Sequence, residues 1–141
     1  MTTTFLWNQN FLHGRRSEAF PVRLEETNVA SLARDAGLLV DCLDNLASRT
    51  VVVGHAARTG TPAVHAGLSA DGTFGLIRWS ERFRPDAEDT PGQATCENGE
   101  HLPLIGLTAA ALARVIQDFT ASGLRRDVLV TLNELRTTAS G

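Results

Sequence analysis

From Asn28 onward, apolar residues recur at steps of three and four: Val29, Leu32, Ala36, Leu39, Leu43 and Leu46, with Arg34, Asp35, Asp41 and Asp44 between them. That period predicts an amphipathic helix from Asn28 to about Ser48, capped by Thr27 or Asn28. Gly37 falls inside it and costs roughly 1 kcal/mol relative to Ala, which makes it the place for a slight break. The next run, Thr50 to Ala57 (TVVVGHAA), is β-branched and ends in Arg58-Thr59-Gly60-Thr61, so it predicts a strand and a turn. Pro62 to Ala70 and Thr73 to Trp79 then flank Asp71-Gly72, a hairpin signal that favours a two-residue type I′ turn. With Ala70 opposite Thr73, the residues Val64, Ala66 and Leu68 share an apolar face with Ile77 and Trp79. His65, Ser69 and Arg78 point the other way, mixed with Phe74 and Leu76.

Further along, Ser80 to Gly92 reads as a polar loop, and Asn98-Gly99 joins two short strands, Ala94 to Glu97 and Glu100 to Leu104. Thr108 reads as the cap of a second helix with the stripe Leu112, Val115, Ile116 and Phe119, stopped by Gly123. Asp127 to Leu135 reads as a last strand with Val128, Val130 and Leu132 on one face. Residues 1–27 form an extra N-terminal segment, with apolar Phe5, Leu6, Trp7, Phe11 and Leu12, a turn at Gly14 to Ser17 and a short strand from Phe20 to Leu24. The order predicts one α+β domain over residues 1–141. Its expected core is a mostly antiparallel sheet of about five to six strands with two helices packed on one face.

Length agrees with that: 141 residues suit one domain that folds without metal or disulfides. A net charge of −3 argues against a dedicated nucleic-acid binder. Met1 to Asn10 carry no basic and apolar leader, and no apolar run approaches the roughly 18 residues of a membrane span. The expectation is a cytoplasmic protein that does not engage a membrane. All 13 basic residues are arginine, so chemistry that needs a lysine is excluded, including the phosphate-binding loop and Schiff-base catalysis.

Candidate chemistry is sparse. His55 and His65 fall on neighbouring predicted strands, but a four-residue turn puts them on opposite faces, and no further ligand stands at metal spacing. Cys96 and His101 become cross-strand neighbours around Asn98-Gly99, within reach of a thiolate–imidazole pair, yet no third residue orients them. Zinc-deaminase, nucleotide-loop and nucleophile-elbow motifs are absent. No catalytic residue, metal or cofactor is expected. What stands out is charge: between Arg84 and Arg114 there is no basic residue, while Asp86, Glu88, Asp89, Glu97 and Glu100 supply five carboxylates. In the expected register Glu97 and Glu100 oppose each other, a like-charge pair that costs a few tenths to about 1 kcal/mol. A solvated loop that aids solubility and an acidic docking surface for a basic partner both fit this stretch.

From about Asn28 to Leu135 the chain resembles the deaminase-toxin immunity family of bacterial polymorphic toxin systems. The likeness rests on the helix of Leu32 to Leu46, the Asp71-Gly72 hairpin ending Leu76-Ile77-Arg78-Trp79, and the segment Glu100-His101-Leu102-Pro103-Leu104. It continues through Gly106-Leu107-Thr108 and the helix to Phe119, the stop at Gly123 and the closing Asn133-Glu134-Leu135. Members commonly carry a proline soon after the second helix and a tryptophan in the last strand; Leu124 to Asp127 and Leu132 to Glu134 have neither. The resemblance implies a stoichiometric inhibitor that places carboxylates in the basic cleft of a cognate cytosine-deaminase toxin. Asp86, Glu88, Asp89, Glu97 and Glu100 would make that contact beside His101, with Trp79 as an anchor or as core. A generic partner-binding or secretion-accessory domain and a small Cys/His enzyme are the competing readings.

Overall fold

The computed structural model describes residues 18–84 and 101–134. Within them the elements run α1 (Val29–Leu32), β1 (Leu39–Asp41), α2 (Leu46–Thr59), β2 (Ala63–Leu68), β3 (Phe74–Trp79), α3 (Leu102–Ser122) and β4 (Val128–Thr131), with a 3-10 turn at Leu132–Glu134. The fold is α+β. Its sheet has four strands in the order β1-β2-β3-β4 and is mixed: β1 runs parallel to β2, while β2–β3 and β3–β4 are antiparallel. A parallel pair needs a crossover, and α2 is that crossover.

The expected first helix is thus cut in two. Only Val29–Leu32 is helical, and after Gly37 the chain straightens into β1, where Leu39 pairs with Ala63 and Asp41 with His65. Asn28 does precede α1, but its side chain turns back, accepting from the Glu25 N–H at 2.9 Å and donating to the Arg23 carbonyl at 2.8 Å. No strand forms at Phe20 to Leu24.

The β-branched run Thr50 to Ala57 lies inside α2 instead of in a strand. Asn45 caps this helix, its side chain accepting from the Ser48 N–H at 2.9 Å, and Gly60 closes it by donating to the Ala56 carbonyl. The buried positions Ser48, Val51, Val52, His55 and Ala56 follow the helical spacing of three, four, seven and eight. Two of these five are polar, so an apolar-only count misses the stripe. Val52 and Ala56 pack on Ala63 with Leu24, Leu39 and Leu43 around them.

The β2–β3 hairpin keeps the expected register, with Val64 opposite Trp79 and Ala66 opposite Ile77. Its turn is longer than two residues: Ser69 pairs with Phe74 through its N–H, and the Ser69 carbonyl accepts from Gly72. A type I′ turn needs positive φ at Asp71 as well as Gly72, and among the described residues only glycines have it.

Helix α3 begins six residues before Thr108, so Leu102, Pro103 and Leu104 are helical and not a strand. Proline in the first turn forfeits no helical hydrogen bond, which lets Pro103 start the helix. Thr108 is buried mid-helix beside Leu104, Leu112 and Val115. Gly123 ends α3 at φ 73°, donating to the Phe119 carbonyl at 2.7 Å. The helix covers the Val64, Ala66, Ile77 and Trp79 face, forming the main core with Leu112 and Val115. Its 21 residues, with a stretch of 18 at mean hydropathy 1.3, match a membrane span by length and composition alone. Here its apolar stripe lies on the sheet, and Arg114 and Asp118 pair along its outside at 2.8 Å.

The two long helices lie on opposite faces, contrary to the expected one-sided packing. Alternation decides this: Ala63, His65 and Gly67 face α2, whereas Val64 and Ala66 face α3.

Candidate functional site

Pairing of β1 with β2 sets Asp41 beside His65, and the turn that follows β3 returns Ser80 to the same point. His65 Nδ1 lies 2.6 Å from Asp41 Oδ2, and Nε2 lies 2.7 Å from Ser80 Oγ. In the tautomer with Nδ1–H donating to the carboxylate, Nε2 is the acceptor for the Ser80 hydroxyl. Asp41 Oδ1 accepts in turn from the Leu43 N–H at 2.8 Å. Phe83 stacks on the imidazole with centroids 4.0 Å apart and planes 7° from parallel.

The order carboxylate, imidazole, hydroxyl is that of an activated serine. Access is what this arrangement lacks: the Asp41 and His65 side chains are 0% exposed, and Phe83 lies across the ring. As placed, the chain of bonds ties β1, β2 and the turn after β3 together. Truncating one member would strand a buried polar group.

Arg49 borders this node from α2. Its Nε donates to the Leu43 carbonyl and Nη2 to the Ala66 carbonyl at 2.8 Å, and its guanidinium sits 5.6 Å from the Phe83 ring centroid. Cys42 lies alongside. Burial around the sulfur, then the Asp41 carboxylate, push its thiol above the ordinary range, with Arg49 opposing them. Beyond the node, Asp127 accepts from the Trp79 N–H at 3.1 Å and pairs with Arg82 at 2.7 Å, closing the same end of the sheet.

Of the residues singled out from sequence, Asp86, Glu88, Asp89, Glu97 and Glu100 lie outside the described residues, as does Cys96. His101 immediately precedes α3 without a side-chain cap bond, and its ring occupies the space beside Gly72 at the β2–β3 turn. Trp79 is 0% exposed and lies in the core, the alternative the alternation of β3 already offered for it. It packs on Phe119 at 4.9 Å beneath the Arg125 guanidinium at 5.1 Å. The alternation that puts Trp79 beside Val64 and Ile77 turns it under α3. His55 sits on α2, not on a strand beside His65. Among the described residues, no three His, Cys, Asp or Glu gather as a metal site.

Spacing along the chain does not reveal the Asp41–His65–Ser80 chain, because Asp41 falls on the polar face of the expected helix. Its separation of 24 residues from His65 and the 15 more to Ser80 form no local motif.

No family model matches this chain. It is similar to the adenylyltransferase and sulfurtransferase UBA4 of Meyerozyma guilliermondii, at 31% identity over 101 residues that cover 67% of this chain and 24% of that protein. The chain therefore spans about a quarter of that relative's length.

Proposed function

We propose that this chain is an immunity protein, a binder that neutralises a cognate cytosine-deaminase toxin by presenting carboxylates to its basic cleft and catalyses nothing itself. The observation that carries this reading is the stretch between Arg84 and Arg114, with five carboxylates and no basic residue. Its two ends are well separated on the body. Arg84 follows the Ser80 turn at one end of β3, and His101 lies at Gly72 by the other end. A deaminase that edits nucleic acid must attract phosphates, so carboxylates held in its cleft copy the charge of the substrate. Complementary charge of this kind raises association rates and suppresses wrong partners. The enclosure of Asp41 and His65 supports a role without catalysis.

The likeness to a sulfurtransferase favours no second reading. Sulfur transfer needs a thiolate, and burial and Asp41 push the Cys42 thiol above its ordinary range, which disfavours that form at this residue.

The test is co-expression with the protein encoded beside this chain, expected to be toxic when expressed alone, followed by binding kinetics on charge-reversed variants. Asp86→Arg, Glu88→Arg and Glu100→Arg should each slow association about tenfold at low salt and flatten its salt dependence. Asp35→Arg and Asp44→Arg, at exposed positions before α2, should leave it unchanged. Equal losses from both sets would remove the special role of the acidic stretch. An innocuous neighbouring protein would end the immunity reading altogether.

A further inference from the structure

Helix α2 covers the β1–β2 side of its face of the sheet and leaves a recess of about 310 Å³ over β2 and β3. Ligand pockets begin near this size, at roughly 300 Å³. Gly67 and Leu76 are directly paired across the strands in this recess, and Phe74 and Phe83 add two aromatic rings to its lining. Arg49 and Arg78 bring two guanidinium groups, and no Asp or Glu lines the recess among the described residues.

Arg49 is held ready rather than spent. A guanidinium carries five N–H donors, and the Leu43 and Ala66 carbonyls engage it through Nε and Nη2 only. Gly67 makes this possible, since a Cβ there would stand 3.0 Å from Nη2. Among the described residues neither Arg49 nor Arg78 forms a salt bridge with a carboxylate, the ion pairs there being made by Arg58, His65, Arg82, Arg114, Arg125 and Arg126. The imidazole of His65 also borders the recess, but both its nitrogens are already bonded.

We infer that this recess binds a small organic anion, its charged oxygens held by Arg49 and Arg78 and its flat apolar body laid against Phe74, Leu76 and Phe83. A guanidinium fixed in a partly enclosed site binds carboxylate, sulfonate or phosphate oxygens in a fork. A cation meets two like charges, and a neutral apolar body would bury the guanidinium donors without a partner. None of the residues named for this site belongs to the acidic stretch, and the proposal does not rest on the toxin reading.

The experiment is a fluorescence titration of the full chain with 8-anilinonaphthalene-1-sulfonate, an aromatic sulfonate anion, with benzoate and benzyl alcohol as competitors. Saturable binding that benzoate displaces and benzyl alcohol does not is expected. Arg78 is exposed, so Arg78→Gln leaves the core intact and should weaken the dye at least about tenfold, the effect of one charge-assisted hydrogen-bond pair. Arg78→Lys should recover part of the loss, and Gly67→Ala, which displaces Arg49, should weaken binding as well. Arg34→Gln, exposed and away from the recess, should bind as the parent does. Unchanged binding in Arg78→Gln, or equal competition by benzyl alcohol, would overturn the site.

Discussion

The imidazole of His65 and the ring of Phe83 lie face to face, 4.0 Å apart and 7° from parallel, over a carboxylate that is itself sealed from water. His65→Ala removes the stack and leaves Asp41 as a buried carboxylate without its partner, so it should cost about 3–5 kcal/mol in urea unfolding. Ser80→Ala removes only the outer hydroxyl and should cost about 1 kcal/mol. If His65→Ala proves no worse than Ser80→Ala, the node does not hold the strands together. Fluorophosphonate labelling should leave Ser80 unmodified.

Gly75 on β3 and Thr108 on α3 meet without room for another atom: a Cβ on Gly75 would overlap the Thr108 side chain. The Thr108 hydroxyl is buried there without a hydrogen-bond partner among the described residues. Gly75→Ala should destabilise by about 1–3 kcal/mol through overpacking. Combined with Thr108→Ala the loss should be smaller than the two single losses added together, because the second change vacates the space. Strict additivity would show that the contact is not the cause.

Asp71 accepts from the Ser69 hydroxyl at 2.6 Å, the Thr73 hydroxyl at 2.8 Å and the Thr73 N–H at 3.1 Å, which together lower its pKa to about 2. The unfolded value is about 3.9. A folded pKa below the unfolded one gives stability that is complete above about pH 4 and is lost as pH falls through about 2. Chemical unfolding across that window should therefore show a steeper loss for the parent than for Asp71→Asn. Matching slopes would mean that the turn gains nothing from the charge.

Cys42 is exposed as a residue, yet its thiol is held up by burial around the sulfur and by Asp41. In a Cys96→Ala background, alkylation by iodoacetamide near pH 8 should run several-fold slower in the folded chain than in urea, because only the thiolate reacts. Equal rates would contradict the environment described for the sulfur.

The hairpin was legible because each of its signals was local. Asp71-Gly72 marks the turn, and strict alternation puts Val64, Ala66, Ile77 and Trp79 on one face, so register and core follow from counting. The end of α3 was legible for the same reason, since a left-handed position after an apolar stripe suits glycine. The same counting already placed Trp79 on the core face.

Local signals by themselves, turn and stop glycines together with alternation, determined the α+β class, the β2–β3 register and the stop at Gly123. Tertiary structure alone decided that Leu39–Asp41 is a strand, that Thr50 to Ala57 is helical and that the long helices take opposite faces. The physical reason is shared. The side chains that settle these choices are polar groups buried by partners far along the chain: Asp41 by His65, and Ser48 by its hydroxyl donating to the Leu24 carbonyl at 3.3 Å. A polar residue in a linear pattern reads as solvent-facing. Only the fold supplies the hydrogen bonds that let it turn inward.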